Sequence, residues 1–282
     1  MESICSRRSV VALLAASLFA GSLTVSSAAR AETQLKLVEP DTLSVVAQIP
    51  FPLFMNGTPT NITGGLHYDL INAIAKDLGV PNVKFRTVEF AALVAGAVSD
   101  YDIGIMEIFV NPKREAVNDY TSCYRRAYNV AIVPKGTAVQ NLDDLKALKW
   151  GTQPGSAGQD IILNYINPPG GFQSYPSIAQ HAKEALKAGL INAIIEGSGA
   201  AALMSDPDFA SRFEIAAKVT TEEAPDGYCI AMQLPKGSPN LEAVNASLKK
   251  IMDAGMIEQW QEKYGIFSPP QDIPTIVLKR IR

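Results

Sequence analysis

Residues 69–106, which read DLINAIAKDLGVPNVKFRTVEFAALVAGAVSDYDIGIM, decide the fold class of this 282-residue chain. Apolar residues at 70, 71, 74, 75 and 78 recur with the period of a helix, and Gly79 and Pro81 end that helix. Residues 83–88 and 101–106 are typical of strands, and a second helix is predicted between them over 90–98. Helices that alternate with strands in this way predict an α/β protein.

The same alternation extends over the rest of the chain. Strands are predicted at 43–47, 128–133 and 191–195, and helices at 181–188, 241–252 and 256–264. The small-residue loop WGTQPGSAG at 150–158 opens a further helix, and its unpaired backbone N–H groups fit an anion site and an ordinary turn equally well. Pro269 and Pro270 cannot continue a helix, so the tail from residue 268 is predicted to run extended over the surface.

The first 31 residues have the pattern of a secretory signal peptide. Arg7 and Arg8 precede an apolar run over 10–25, which is followed by an Ala-x-Ala site that ends at Ala31. The run is shorter than the ~20 apolar residues that a membrane span requires. We therefore expect cleavage near Ala31 and export to the periplasm. The paired arginines alone do not identify the export pathway.

Composition and charge exclude several classes of protein. Hydrophobic residues make up 47% and charged residues 19% of the chain, so it can bury a sizeable core and is not disordered. Once the N-terminal segment is removed, 22 basic and 27 acidic residues remain. This acidic balance argues against binding to phosphate backbones, so nucleic acid is not an expected partner. The length is that of two ordinary domains.

Few residues suit metal or nucleophilic chemistry. Cys123 and Cys229 are the cysteines that remain after the N-terminal segment, and they form neither a CxxC pair nor a zinc pattern. His67 and His181 lie far apart in the sequence, and we interpret each as a solvated residue. We expect no metal, no cofactor and no histidine-based catalytic triad.

A series of short motifs runs through the chain in a fixed order. They are FPLF (51–54), GLHYDL (65–70), PKR (112–114) with DYT (119–121), LDDL (142–145) with GS (155–156), ALKAG (185–189) and WQEKYG (260–265). In this order they resemble the motifs of the family-3 periplasmic solute-binding proteins, the receptors of polar amino-acid ABC importers. The resemblance covers essentially the whole chain after the N-terminal segment.

The resemblance implies a type II periplasmic binding protein, with two α/β lobes joined by two hinge strands and a ligand held in the interlobe cleft. Lobe one would comprise residues 32–124 and 229–282, which includes the C-terminal tail, and lobe two residues 125–228. Such receptors close on their ligand by a hinge motion. The expected function is that of a monomeric receptor, not an enzyme, that delivers a small carboxylate-bearing ligand to an ABC permease. A polar or cationic amino acid or a derivative is the expected ligand.

The resemblance also assigns residues to the cleft. Arg114 occupies the position whose guanidinium holds the ligand carboxylate, and its planar fork suits two charge-assisted hydrogen bonds. The Ser156 hydroxyl and the Ala157 amide would supply further donors from the other lobe. Phe51 matches the aromatic residue that stacks on the ligand, and Gln153 would reach the ligand side chain.

Several cleft positions depart from the family pattern. Relatives place an aspartate from each lobe near the ligand ammonium, but these positions hold Gln48 and Gly197 here. The small hydroxyl residue expected five positions before the arginine is Phe109, and the Gly or Ser expected two positions earlier still is Glu107. Glu196 lies beside Gly197. A ligand carboxylate is therefore implied, whereas an α-ammonium group is left open.

The two glutamates admit alternative interpretations. A buried carboxylate needs a partner, so Glu107 would face either a ligand cation or an arginine such as Arg114. Glu196 would face the cleft or solvent. Some exported proteins of this fold are enzymes, such as dehydratases of cyclohexadienyl acids, and either glutamate would then act as a general acid. A receptor that signals to a membrane sensor is a third alternative.

The two cysteines flank the hinge positions that the resemblance assigns. Cys123 precedes Tyr124 at the first crossing and Cys229 follows Tyr228 at the second, so both would lie at the lobe-one end of antiparallel strands. The spacing of neighbouring strands permits a disulfide, and an oxidising compartment favours one. The alternative is a pair of buried free thiols.

Overall fold

The strands form two six-stranded sheets and a short hairpin in the computed structural model, which describes residues 35–281. In chain order they are β1 (Thr42–Ala47), β2 (Asn56–Thr58), β3 (Asn61–Gly64), β4 (Asn82–Thr87), β5 (Ile103–Phe109), β6 (Asn118–Tyr120), β7 (Arg125–Ala127), β8 (Asn129–Pro134), β9 (Trp150–Thr152), β10 (Phe172–Ser174), β11 (Ala193–Glu196), β12 (Phe213–Thr221), β13 (Tyr228–Pro235) and β14 (Thr275–Leu278). The predicted signal peptide and its cleavage site lie outside the described residues.

Short helices connect most of the strands. They are α1 (Leu66–Asp77), α2 (Phe90–Val94), α3 (Pro112–Glu115), α4 (Leu142–Lys146), α5 (Ala157–Ile161), α6 (Lys183–Lys187), α7 (Ala200–Met204), α8 (Pro207–Arg212), α9 (Leu241–Asp253) and α10 (Met256–Tyr264). A π-helical turn at Ile162–Ile166 continues α5, and a second at Ile178–Ala182 precedes α6. Across residues 35–281, no helix has the length and apolar character that a membrane crossing requires.

The first lobe is built on a sheet with strand order β4-β1-β5-β13-β6, and β7 also pairs with β13. β1 runs parallel to β4 and β5, whereas β13 is antiparallel to β5, β6 and β7. The helical period places Leu70, Ile71 and Ile74 on the buried face of α1, which packs against α9 and α10. β5 is buried along its whole length, so its C-terminal end carries Glu107 and Phe109 into the interior.

The second lobe is built on a sheet with strand order β10-β9-β11-β8-β12-β14. β8 is antiparallel to its neighbours β11 and β12. Trp150 in β9 is fully buried, and its Nε1 donates to the Leu145 carbonyl of α4 at 2.9 Å. α4 begins with a capping box in which the side chains of Asn141 and Asp144 each accept from the other's backbone N–H. These contacts fix the strand that leads into the 150–158 loop.

The chain passes between the sheets where β7 ends and β8 begins, and it returns over residues 222–227. The predicted first boundary at 124/125 is three residues early, because β7 belongs to the first sheet. Its residues Arg125–Ala127 pair with Tyr228, Cys229 and Ile230 of β13. The hinge therefore consists of strands that stay hydrogen-bonded to each other up to the crossing.

The C-terminal tail departs from the prediction that residues 229–282 all belong to lobe one. Thr275–Leu278 form β14, which pairs in parallel with Lys218–Thr221 of β12 at the edge of the second sheet. Ile276 and Leu278 are buried in the core of the second lobe, whereas Thr275 and Val277 are exposed. This alternation is that of an edge strand with one buried face. The tail therefore crosses from α10 in the first lobe to the second lobe.

Candidate functional site

A cavity of about 60 Å³ lies in the cleft between the two sheets. Its lining includes all of the ligand-binding residues predicted from the sequence, namely Phe51, Glu107, Phe109, Arg114, Gln153, Ser156, Ala157, Glu196 and Gly197. Typical ligand sites have volumes of ~300–1,000 Å³, so this cleft is closed. The structure brings the nine residues together, and their contact with a ligand stays a prediction.

Direct contacts hold the lobes together across the cleft. Gln48 Nε2 of the first lobe donates to Ser177 Oγ of the second at 3.4 Å. The Phe109 ring of the first lobe lies against Gly197 of the second, where a Cβ atom would approach the ring to 2.6 Å. Only glycine fits at position 197 in this arrangement. The ring thus takes the space that a side chain at that position would need.

Arg114 lies in α3 at the floor of the cleft and is only 5% exposed. Asn111 caps the helix by accepting from the Arg114 backbone N–H at 2.9 Å. The guanidinium donates to the Phe109 carbonyl of its own lobe and, at 2.7 Å, to the Gly155 carbonyl of the second lobe. These bonds use two of the five N–H groups of the side chain, so three are left for another partner.

The charge of Arg114 is not neutralised within the described residues. Its guanidinium forms no ion pair there, and its other contact is with the face of the Phe90 ring, 5.4 Å from the centroid. Burial lowers the pKa of Arg114 to about 10, so the side chain still carries its charge at neutral pH. A buried cation without a carboxylate partner is costly. The site therefore favours an anion beside it.

The start of α5 forms the opposite wall. Ser156 caps the helix by accepting from the Gln159 N–H at 3.1 Å, and its hydroxyl lies 3.2 Å from Thr152 Oγ1. Gln153 donates instead to the Pro176 carbonyl at 2.8 Å, which holds its amide on the second lobe. Ser156 and Ala157 thus line the cavity, and one of the two side-chain N–H groups of Gln153 is already used.

Glu107 is paired within the first lobe with an arginine, as one of the two predicted alternatives has it, but the arginine is Arg125 and not Arg114. Its carboxylate forms a close ion pair with Arg125. It also accepts from the Tyr124 hydroxyl at 3.0 Å and lies 2.9 Å from His67 Nε2. Burial would raise the pKa of Glu107, but Arg125 and His67 outweigh burial and hold this pKa at about 2. Glu107 is therefore ionised and satisfied without a ligand.

His67 is buried, 1% exposed, and the prediction of a solvated histidine is wrong. Burial lowers its pKa, so the ring is neutral and its Nε2–H donates to the ionised Glu107. The predicted helix began at residue 69, whereas α1 begins at Leu66. Residue 67 therefore shares the buried face with Leu70, Ile71 and Ile74 at the helical spacing. Extending the helical period of residues 70, 71 and 74 back by one turn to residue 67 would have predicted that His67 is buried.

Glu196 ends β11 and faces the cavity rather than bulk solvent. Its Oε1 accepts from the Gly197 N–H at 2.9 Å. Burial, with a smaller contribution from the nearby Glu107 charge, raises the pKa of this carboxyl to about 7. The backbone N–H groups of Gly197 and Gly199 act in the opposite direction and lower it. Within the described residues it forms no ion pair. The cavity thus holds a carboxyl without a cation.

Aromatic residues close the ends of the cavity. The Phe109 ring is stacked on Tyr228 with centroids 4.9 Å apart, which ties it to the hinge. Phe51 is stacked on Phe54 at 4.6 Å, and its ring edge lies 3.4 Å from the Cβ position of Gly199. Both rings therefore contact the second lobe in the closed cleft.

Two further polar residues of the second lobe line the cavity and were missed. They are Asn129, at the start of β8, and Ser198, directly after β11. Neither belongs to a motif. The only sequence signal for Asn129 is an amide at the inner end of a strand that is otherwise apolar.

The sequence of this chain matches the family model of the bacterial extracellular solute-binding proteins, family 3, over residues 43–267. The chain belongs to this family. The predicted family and fold class are thereby confirmed. The matched range ends at residue 267, so the strand β14 lies beyond it.

Individual relatives agree with this membership. A probable histidine-binding protein of Neisseria gonorrhoeae is 27% identical over 209 residues, which cover 71% of this chain and 74% of that protein. An ancestral arginine-binding protein, solved with arginine bound, is 25% identical to this chain, with a TM-score of 0.67. The match covers 79% of this chain and 98% of that one. An ancestral amino-acid-binding protein, a precursor of cyclohexadienyl dehydratase, is 21% identical with a TM-score of 0.66, over 79% of this chain and 95% of that one.

The two cysteines meet at the hinge as free thiols, so the predicted disulfide is not formed in the structure. A hydrogen bond with Cys229 lowers the pKa of the Cys123 thiol to about 6, and the same bond raises the pKa of Cys229. They are partly buried on β13 and on the segment before β7. Cys123 Sγ donates to the Arg125 carbonyl at 3.1 Å, and the two cysteines are close enough that each shifts the pKa of the other.

Proposed function

We propose that this protein is an exported receptor that binds one small zwitterion, an amino acid or a close derivative, between its lobes. A single observation supports this function: one cavity holds a buried guanidinium without a carboxylate, at Arg114, and a carboxyl without a cation, at Glu196. A ligand with one carboxylate and one ammonium group matches both. It would remove the cost of burying each charge alone.

The ligand carboxylate would bind to Arg114 and to the Ser156 hydroxyl, which approach it from different lobes. The ligand ammonium would bind to Glu196, one residue before the position where relatives carry an aspartate. An ammonium beside this carboxyl favours its ionised form, so binding would release the proton that the empty site holds. Both groups of the ligand would then link the lobes and stabilise the closed form.

Delivery to an ABC permease in the inner membrane is the proposed role of the closed form, with the protein acting as a periplasmic monomer. The family membership and the closed cleft support this role, as does the signal-peptide pattern of residues 1–31. The named relatives, a histidine-binding and an arginine-binding protein, support an amino acid as the ligand class.

The test is a thermal-shift screen of amino acids, amines and organic acids, followed by calorimetry of the hits. A ligand at 100 times its Kd stabilises the folded form by ~2.7 kcal/mol, which raises the Tm by several degrees. We expect amino acids to raise the Tm, and plain amines to have no effect. Arg114→Ala should abolish the shift, whereas the control Lys113→Ala, at an exposed neighbouring residue, should retain it. Binding of plain acids alone would contradict the ammonium assignment to Glu196.

A second candidate function is an exported dehydratase of cyclohexadienyl acids. The observation that favours it is the pKa of Glu196, about 7, which suits a general acid at neutral pH. Incubation with prephenate would show turnover in the native protein and none in Glu196→Gln. Absence of turnover in a protein that binds amino acids would leave the receptor as the function.

The proximity of the two thiols also supports the predicted disulfide in the exported protein. Oxidation would remove one hydrogen from each of Cys123 and Cys229, join the sulfur atoms and transfer two electrons to an oxidant of the compartment. Since both residues lie in the first lobe, on β13 and just before β7, the bond would fix the hinge base without blocking closure. Mass spectrometry of the unreduced exported protein should find the cross-linked peptides, and two alkylatable thiols would reject the bond.

A further inference from the structure

Asn129 carries a buried amide that the protein itself does not use. It is the first residue of β8, is 2% exposed and lines the cleft cavity. Its Nδ2 has no hydrogen-bond partner in the described residues. Ser198, 7% exposed, lines the same cavity, and its hydroxyl, although close to Glu107, forms no hydrogen bond of normal length.

A second buried asparagine shows what a structural amide looks like in this chain. Asn118 is also 2% exposed, but its Nδ2 donates to the Val94 carbonyl at 3.1 Å and its Oδ1 accepts from Gln233 at 3.0 Å. Buried polar groups in folded proteins almost always have such partners. The amide of Asn129 therefore has a partner that the chain does not supply, and its position on the cavity wall points to the ligand.

The position of Asn129 sets it beside the zwitterion site. β8 lies between β11 and β12, where Val130 is in register with Glu196 and Asn129 with Val219. Asn129 is therefore one residue along the strand from the partner of Glu196. Since successive residues of a strand project from opposite faces, Asn129 and Glu196 reach the shared cavity from different faces of the sheet. A ligand whose ammonium binds Glu196 would thus meet this amide with a different group, its side chain.

The charges of the site indicate which side chain fits. Glu107 is already paired with Arg125, and Glu196 is assigned to the ligand ammonium. The lining of the cavity supplies no further carboxylate for a second cation. The buried polar groups of this lining that have no hydrogen-bond partner in the described residues are the neutral amide of Asn129 and the hydroxyl of Ser198. These can both donate and accept hydrogen bonds.

We propose that Asn129, together with Ser198, is a specificity-determining subsite that selects amino acids with a neutral amide or hydroxyl side chain. This inference rests on the proposed function of the same cleft. It excludes apolar side chains, because they would leave the amide unpaired, and cationic side chains, because they would have no counter-charge.

Calorimetry with matched ligand pairs tests the subsite in the native protein. L-asparagine is compared with L-leucine, and L-glutamine with L-methionine, since each pair is similar in size and differs in the polar group. L-lysine and L-alanine complete the set. We expect the amide ligand to bind at least about tenfold more tightly than its apolar counterpart, since a site built for a hydrogen bond rejects the analogue that lacks it. Equal affinities within both pairs, or tightest binding of L-lysine, would overturn the proposal.

The variant Asn129→Leu gives a second readout with a matched control. In Asn129→Leu the ratio of the affinities for the amide ligand and its apolar counterpart should fall to near unity. Without ligand its Tm should be unchanged or ~2–4 °C higher, because an unpaired buried amide is removed. The control Asn118→Leu breaks two hydrogen bonds and should lower the Tm. An unchanged preference in Asn129→Leu would overturn the subsite alone, whereas failure of every amino acid to bind the native protein would overturn the proposed function and the subsite with it.

Discussion

The first lobe contains two buried charged groups at one cavity, and the chain treats them in opposite ways. Glu107 is held by three side chains of its own lobe, His67, Tyr124 and Arg125. Arg114 is as deeply buried, but its hydrogen bonds go to backbone carbonyls, and it forms no ion pair in the described residues, where Asp160 attracts its charge only from a distance. Both residues line the cleft, so position alone does not distinguish a structural charge from a functional one.

The difference shows how to interpret a charge in a binding cleft. A buried ion that the chain has paired stabilises the fold and is costly to disturb. A buried ion that lacks a partner costs the fold free energy and is retained for another purpose. Glu107 is of the first kind and Arg114 of the second, whereas Glu196, with its pKa of about 7, avoids an unpaired charge by keeping a proton. The following variants separate the two kinds by measuring stability and binding side by side.

The largest expected effect is on stability, in Glu107→Gln. The substitution leaves the Arg125 guanidinium buried without its carboxylate, and breaking such a pair typically costs ~3–5 kcal/mol of unfolding free energy. Urea denaturation of the native protein and the variant measures it. A loss below ~1 kcal/mol would mean that the Glu107 cluster is not a structural ion pair.

Arg114→Met should show the reverse pattern. Removal of an unmatched buried charge should leave the unfolding free energy unchanged or higher, while ligand binding weakens by ~2–5 kcal/mol. Denaturation and calorimetry on the same preparation provide both values. Loss of stability with retained affinity would assign Arg114 to the fold instead of the ligand.

Acid should reduce the contribution of Glu107 to the free energy of unfolding. The folded-state pKa of Glu107 is about 2, below its usual value of 4.5, so its contribution to stability is complete above pH 4.5. That contribution is lost progressively as the pH falls from 4.5 through 2. Denaturation between pH 6 and pH 3 should therefore show a smaller decline in Glu107→Gln than in the native protein. Parallel curves would contradict the lowered pKa.

The smallest expected effect is the pH dependence of ligand affinity that the carboxyl of Glu196 produces. Because the pKa of Glu196 is about 7, its ionised fraction rises between pH 6 and pH 8, and so should the affinity for an amino acid. The unliganded protein should lose stability as the pH rises from 4.5 through 7, because over this range the folded state still holds the proton that the unfolded state has released. Calorimetry between pH 6 and pH 8 should show a pH dependence of affinity that Glu196→Gln lacks. The same slope in both proteins would assign the titration to another group.

The α/β architecture, the family and most of the polar residues around the cleft could be predicted from the sequence, whereas Asn129 and Ser198 could not. Local periodicity was sufficient for α1, α9 and α10, because an amphipathic helix repeats its apolar face within a few turns. The motif order was sufficient for Arg114 and Ser156, since the motifs place them without reference to their neighbours in space.

The partners of those residues follow from contacts between distant segments. Ile230 of β13 is in register with Phe109 of β5 on one side and with Arg125 of β7 on the other. This pairing brings Arg125, eighteen positions away in sequence, next to Glu107, and it leaves the nearer Arg114 without an ion pair in the described residues. The tail strand β14 depends in the same way on which sheet edge is free to accept it. Charge pairing and edge pairing are contacts between distant segments, and no pattern within one segment encodes which distant segment completes it.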